Sequence, residues 1–354
     1  MPRRIAVLTV ALCAAIPAAA QAAPADAASA RFRDHVDHAG PARATAAQAD
    51  SSVTVPLTEG GAIRVSFTPT VGSQPALAQQ YVGFLESLPH GSELGDLRIL
   101  IATPAEVRTQ CGDDGSDPDS QVLGCYGDDE MIVPSTGLDT PAAAGDYTVR
   151  YVLTHEYGHH IAAHRSNTIG QGGALAFGPK YWASYELVCD QAGNKKLFPY
   201  AERDLQQYLR NPGEAWAETY ARLVYPEQKW TWTSLLRPDA AALEAARRDV
   251  LEPWTRNATK IFEMGAGRNT QTFRLPLHLD GALKTTVRGP SGSEVAVKIT
   301  SGSQVVGRSK RTGAYDRWGM AVGCRERQTE TLSFRVTRAG GDRGPVTLRV
   351  SYAG

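Results

Sequence analysis

Hydrophobic positions along the 354-residue chain change their period twice, and those changes divide it. Residues 5–20 form one apolar run, and residues 23–50 are Ala-rich without sustained periodicity. From Val53, "VTVPL" and "AIRVSFTP" alternate as short strands do. "QPALAQQYVGFLESLP" then places Leu77, Tyr81, Phe84, Leu85 and Leu88 at helical spacing, and Pro89 ends the run. "LRILIATP" and "EMIVPS" read as two further strands, and Asp146 opens a long helix, "DYTVRYVLTHEYGHHIAAHR". Helical spacing returns over 202–209, 213–224 and 240–251. Beyond about Gly267 the period falls to two, in seven or so runs separated by turns such as "GPSGS" and "AGGDRG". The pattern predicts an α+β fold: a mixed helix–sheet domain over 51–266, then a small all-β sandwich over 267–354.

The ends and the cysteines add a compartment. Arg3 and Arg4 precede the apolar run, and Ala20-Gln21-Ala22 follows it as a small-x-small site. Residues 1–22 therefore read as a secretory signal peptide cleaved near Ala22, with 23–50 as a leader or pro-segment. The run is short of the roughly 20 apolar residues that span a bilayer, and no later stretch is long and apolar enough, so no transmembrane segment is expected. The expectation is a secreted, soluble, monomeric protein. Cleavage removes Cys13 and leaves Cys111, Cys125, Cys189 and Cys324. Cys111 and Cys125 flank one loop and form the natural local disulfide, a closure contributing about 3 kcal/mol in the chain-entropy model. Cys189 and Cys324 are left as two buried thiols or a bridge.

Charge narrows the partners. Lys+Arg and Asp+Glu each number 37, which argues against an unbroken basic surface for nucleic acid. The balance is a cancellation, because residues 268–354 hold 15 Lys+Arg and 6 Asp+Glu and the remainder carries the opposite excess.

The chemistry gathers at His155-Glu156-Tyr157-Gly158-His159, an H-E-x-x-H motif within the long helix. Residues i and i+4 share a helix face, so both imidazoles can reach one zinc ion, while Glu156 stands beside that face as a general base toward water. His160 and His164 repeat the spacing without a glutamate and read as solvent-facing. The extension H-E-x-x-H-x-x-G-x-x-H fails at Ala162 and Arg165, with His164 one position early. A third ligand can come instead from "NPGEAWAETYARL", where Glu214 and Glu218 share a face. Glu214 has a competing role as the N3 carboxylate of a capping box on Asn211, and Asp190 and His164 are further alternatives. "CGDDGSDPDSQVLGCYGDDE" collects Asp113, Asp114, Asp117, Asp119, Asp128, Asp129 and Glu130; such density can bind Ca2+, although the spacing is not that of an EF-hand and a solvated loop is the simpler reading. The tryptophans of the first domain read as core anchors.

"HEYGHH" followed by "NPGEAWAETYARL" resembles the glutamate-ligand zinc peptidases (gluzincins), in particular the family of the anthrax lethal factor catalytic domain. The resemblance implies a zincin-like domain with His155, His159 and Glu214 as zinc ligands, Glu156 as the base and Glu218 behind a ligating imidazole. It also implies an edge strand, with "EMIVPS" as candidate, that holds an extended protein or peptide substrate, and an oxyanion-steadying tyrosine for which Tyr208, Tyr200 and Tyr220 compete. "LKTTVRGPSGSEVAVKITSGSQVVGRS" and "FRVTRAGGDRGPVTLRVSY" resemble the bacterial pre-peptidase C-terminal domain, which implies an appended module without catalytic residues. The expected function is a secreted zinc endopeptidase. The alternatives are a secreted binding or adhesion protein with a vestigial or structural zinc site, and an aminopeptidase or cell-wall amidase.

Overall fold

The computed structural model describes residues 31–33, 51–112, 120–142, 147–165, 173–201, 204–252, 255–265, 269–278, 281–309, 313–322 and 329–353. The signal-peptide segment 1–22 and Asp146 lie outside the described residues, as do Asp113, Asp114, Asp117 and Asp119 of the acidic loop.

Five strands build the first sheet: β2 (Ser51–Pro56), β3 (Ala62–Phe67), β4 (Arg98–Ala102), β7 (Glu130–Pro134) and β6 (Cys125–Gly127), in that spatial order. β3, β4 and β7 run parallel, and β2 and β6 are antiparallel edges. "EMIVPS" is therefore an interior strand, and the edge is β6. The chain reverses at Asp128 and Asp129, both at positive φ, and folds β6 back on β7. α2 (Pro104–Gln110) is tied to that edge by the expected disulfide, Cys111–Cys125, whose Cα atoms are 5.8 Å apart. Cys189 is also disulfide-bonded, which removes the free-thiol reading for it, and Cys324 lies outside the described residues.

Two helices organise the layer beside the sheet. α1 (Pro75–Glu86) buries Tyr81, Val82 and Leu85, and Pro75 supplies a start with no amide to satisfy. α3 (Val149–Ala163) starts at the N-cap Thr148, whose hydroxyl accepts from the Tyr151 amide, and is buried from Val149 to Ala162 except at Arg150. Short helices α4 (Gly173–Phe177), α5 (Lys180–Tyr185), α6 (Val188–Gly193) and α7 (Leu205–Tyr208) lead into α8 (Pro212–Val224), which packs on α3, and α9 (Ala240–Leu251) packs on α5 and α8. One core, from Val55 to Val250, joins these elements.

A second core, from Phe262 to Val350, lies between two four-stranded antiparallel sheets. One sheet has the order β13 (Tyr315–Val322), β10 (Gly281–Arg288), β15 (Gly344–Ala353), β8 (Thr255–Met264). The other has the order β12 (Gln304–Arg308), β11 (Glu294–Ser301), β14 (Thr329–Gly340), β9 (Thr270–His278). The alternation predicted the sandwich-like pair but placed its start at 267, whereas β8 already pairs along β15 from Thr255. Only Phe262 and Met264 of β8 are buried, so most of that strand carries no alternating signal. A second difference falls in the Ala-rich leader: β1 (Arg31–Arg33) pairs parallel with β5 (Ser120–Val122), just before the sheet edge.

Candidate metal centre

α3 carries the motif through the core, and burial sets the electrostatic problem. His155, Glu156 and His159 have no exposed surface, nor does Glu218, and Glu214 is 1% exposed. Ionisable groups buried this deeply need partners or an ion.

α8 is brought against this stretch by small residues. At Gly158, between the two histidines, an added Cβ would lie 2.9 Å from the Ala217 Cα. At Gly213 it would lie 2.3 Å from the Leu175 carbonyl oxygen. The indole of Trp216 donates to the Gly158 carbonyl at 3.0 Å and fixes the helix crossing. Gly158→Ala must push α8 away from α3; the expected result is a stability loss of about 1–3 kcal/mol together with weaker metal uptake. Denaturant unfolding and metal content of the variant check it, and wild-type values for both would contradict the close approach.

The crossing brings two carboxylates to the motif. Glu214 Oε2 is 3.5 Å from His155 Nε2 and 3.6 Å from His159 Nε2. Ligands bound tetrahedrally at about 2.0–2.1 Å stand roughly 3.3–3.4 Å apart, so the three side chains are spaced for one ion. His155, His159 and Glu214 form a buried group that could hold a metal. Glu218 Oε2 lies 3.5 Å from the other nitrogen of His155, Nδ1, and fits an outer partner that orients the ring. Trp232 stacks on His155, with centroids 5.7 Å apart.

The capping alternative for Glu214 is not what α8 adopts. Asn211 caps the helix with its own side chain, accepting from the Gly213 amide at 3.0 Å. The Glu214 carboxylate instead accepts from the Tyr208 hydroxyl at 3.1 Å and faces the imidazoles. Burial alone would raise its pKa, but His159 and His155 outweigh burial and hold it well below the ordinary carboxylate range. Burial pushes the Tyr151 phenol up, and the Glu218 carboxylate it faces adds to the shift.

Glu156 points elsewhere. A Cβ on Gly124, just before β6, would meet Glu156 Oε1 at 2.9 Å, so the sheet edge passes directly over this carboxylate. Of the three tyrosines, Tyr208 contacts Glu214, Tyr220 donates to the Pro89 carbonyl, and Tyr200 is exposed against Phe177. Asp190 is exposed on α6. Arg165 ion-pairs with Glu93 at 2.9 Å, where the extended motif would require a histidine. Burial raises the Glu93 pKa, but Arg165 together with backbone hydrogen bonds, the Gly91 amide among them, brings it below the ordinary value.

The expectation of a solvent-facing His160–His164 pair is corrected at His160, while His164, at the end of α3, is partly exposed. His160 is fully buried, with Nε2 2.8 Å from the Glu93 carbonyl oxygen, and His164 Nε2 is 2.8 Å from Asp129 Oδ1. α3 is enclosed on nearly all sides, so the face-by-face logic of a surface helix does not apply to it. Trp182, Trp216 and Trp232 are buried, as read, although Trp232 also touches the site; Trp254 lies outside the described residues.

No family model matches the chain, and no curated protein matches it. Among solved structures, the pre-peptidase C-terminal domain of a collagenase from Bacillus anthracis is similar at 11% identity, over 27% of this chain and 87% of that one, with a TM-score of 0.20. A periplasmic inhibitor of g-type lysozyme from Aeromonas hydrophila is similar at 17% identity, over 28% and 87%, with a TM-score of 0.19. Likenesses of this size carry no argument about what the chain does. Its function rests on its own residues.

Proposed function

We propose that the chain is an exported zinc-dependent endopeptidase of the gluzincin type. The observation that carries the reading is the buried His155, His159 and Glu214 group, with Glu156 set apart beneath the sheet edge. Two imidazoles and one carboxylate suit zinc, and three protein ligands are the number found at catalytic rather than closed structural sites. When bound, zinc would polarise a scissile carbonyl and acidify a water molecule.

The chain's own side chains do the rest. Glu156 takes the proton from the attacking water on a carboxylate oxygen and delivers it to the leaving amine. Glu218 holds the His155 ring at Nδ1, so that Nε2 is presented to the ion. The antiparallel edge β6 would offer main-chain donors and acceptors to an extended peptide, and Gly124, just before it, lies close to Glu156. Export is supported by the Cys111–Cys125 disulfide and the N-terminal apolar run. Among the described residues, no helix is long and apolar enough to cross a membrane. The two sheets over residues 255–353 form an appended module of the pre-peptidase C-terminal type.

An extended peptide blocked at both ends tests this reading. Zinc-loaded protein is expected to cut it internally, whereas an aminopeptidase would leave it intact.

A further inference from the structure

We propose a second transition-metal site on the adjacent face of α3, formed by His160, His164 and Asp129 and suited to zinc. Each residue offers one donor atom, and these atoms lie within 4.8 Å of one another. The two imidazoles stand at i, i+4, and their ring centroids are 4.4 Å apart. Asp129 completes the group from the turn between β6 and β7, where its backbone adopts φ of 63° and its Oδ1 approaches His164 Nε2 to 2.8 Å.

The tautomers follow from the outer partners. A carbonyl oxygen only accepts, so the 2.8 Å contact to Glu93 places the ring proton of His160 on Nε2. The Nδ1 lone pair is thereby aimed at the Tyr126 hydroxyl, 3.2 Å away, and that hydroxyl is also 3.2 Å from Asp129 Oδ1. On His164, Nε2 faces Asp129 while Nδ1 stands 3.7 Å from Asp96 Oδ2. Each imidazole thus turns one nitrogen inward and has the other near an outer oxygen, as ligating histidines do. The Tyr126 hydroxyl has one proton for these two acceptors, and ion binding would exchange that single hydrogen bond for coordination. Calcium, which takes six to eight oxygens, does not suit this donor set. Access is open, because the side chains of His164 and Asp129 are 23% and 48% exposed.

This site does not depend on the peptidase reading. An ion here would clamp the β6–β7 turn, and with it the sheet edge, onto α3.

The test is zinc content per chain. Full-length protein is equilibrated with Zn2+, freed of excess by gel filtration and measured by inductively coupled plasma mass spectrometry. Wild type is expected to carry two ions, and Glu214→Ala and His164→Gln one each. Asp129→Asn, which keeps the side-chain shape, is expected to match His164→Gln. The double variant Glu214→Ala/His164→Gln is expected to carry none. Unchanged zinc content in folded His164→Gln and Asp129→Asn relative to wild type overturns the proposal, whatever the Glu214 group holds.

Discussion

Glu156→Gln is expected to lower peptide hydrolysis by about 10²- to 10⁴-fold, the usual contribution of a positioned general base, while leaving metal content unchanged. Glutamine keeps the length and volume of the side chain, so the close approach to Gly124 survives. What disappears is the capacity to accept a proton and pass it on. Glu156 is not among the three side chains that converge on the proposed ion, which is why metal should stay. Parallel measurement of kcat on a blocked peptide and of zinc content separates the two roles. Wild-type turnover would remove Glu156 from the mechanism, and lost zinc would make it a ligand.

The second large effect concerns the two glutamates of α8. Glu214→Ala removes a carboxylate 3.5 and 3.6 Å from two imidazole nitrogens, and is expected to abolish retention of the ion held there. Glu218→Ala removes only the outer partner of His155, and is expected to weaken that zinc by about 10- to 100-fold. Competition against a chelator of known affinity measures both. The reverse ranking would exchange their roles. Both variants leave a buried imidazole without its carboxylate, so folded protein should be verified by hydrodynamic size before metal is compared.

Legibility followed how local each feature was. The H-E-x-x-H helix, the disulfide between Cys111 and Cys125, and the alternation of β11 and β14 depend on neighbours in sequence, and they were readable. The grouping of Glu214 with His155 and His159 is expected from the resemblance rather than dictated by spacing, because the three meet only where Gly158 and Ala217 let two helices approach. Spacing favours Glu214 but keeps Glu218 as an alternative, and Asn211 offers Glu214 a rival role that the folded helix does not use. The edge of the sheet was assigned to the more hydrophobic segment, "EMIVPS". That strand is hydrophobic because it is interior, and the true edge, "CYG", is too short to show a period. β8 was missed for the opposite reason, since its residues before Ile261 are mostly exposed and betray no buried face. The missing glutamate suggests a solvent-facing His160–His164 pair, but His160 lies on the enclosed part of α3 and only His164, at its C-terminal end, is partly exposed.

The most direct measurement is cleavage of a doubly blocked, extended peptide by full-length protein, followed by mass spectrometry in the presence of zinc, then of a chelator, then of zinc restored. Internal cleavage is expected that stops on chelation, returns with zinc and is absent in Glu156→Gln. Cleavage indifferent to chelation, or none from folded, zinc-loaded protein across a varied peptide set, would contradict the endopeptidase reading and favour a binding protein whose metal serves structure alone.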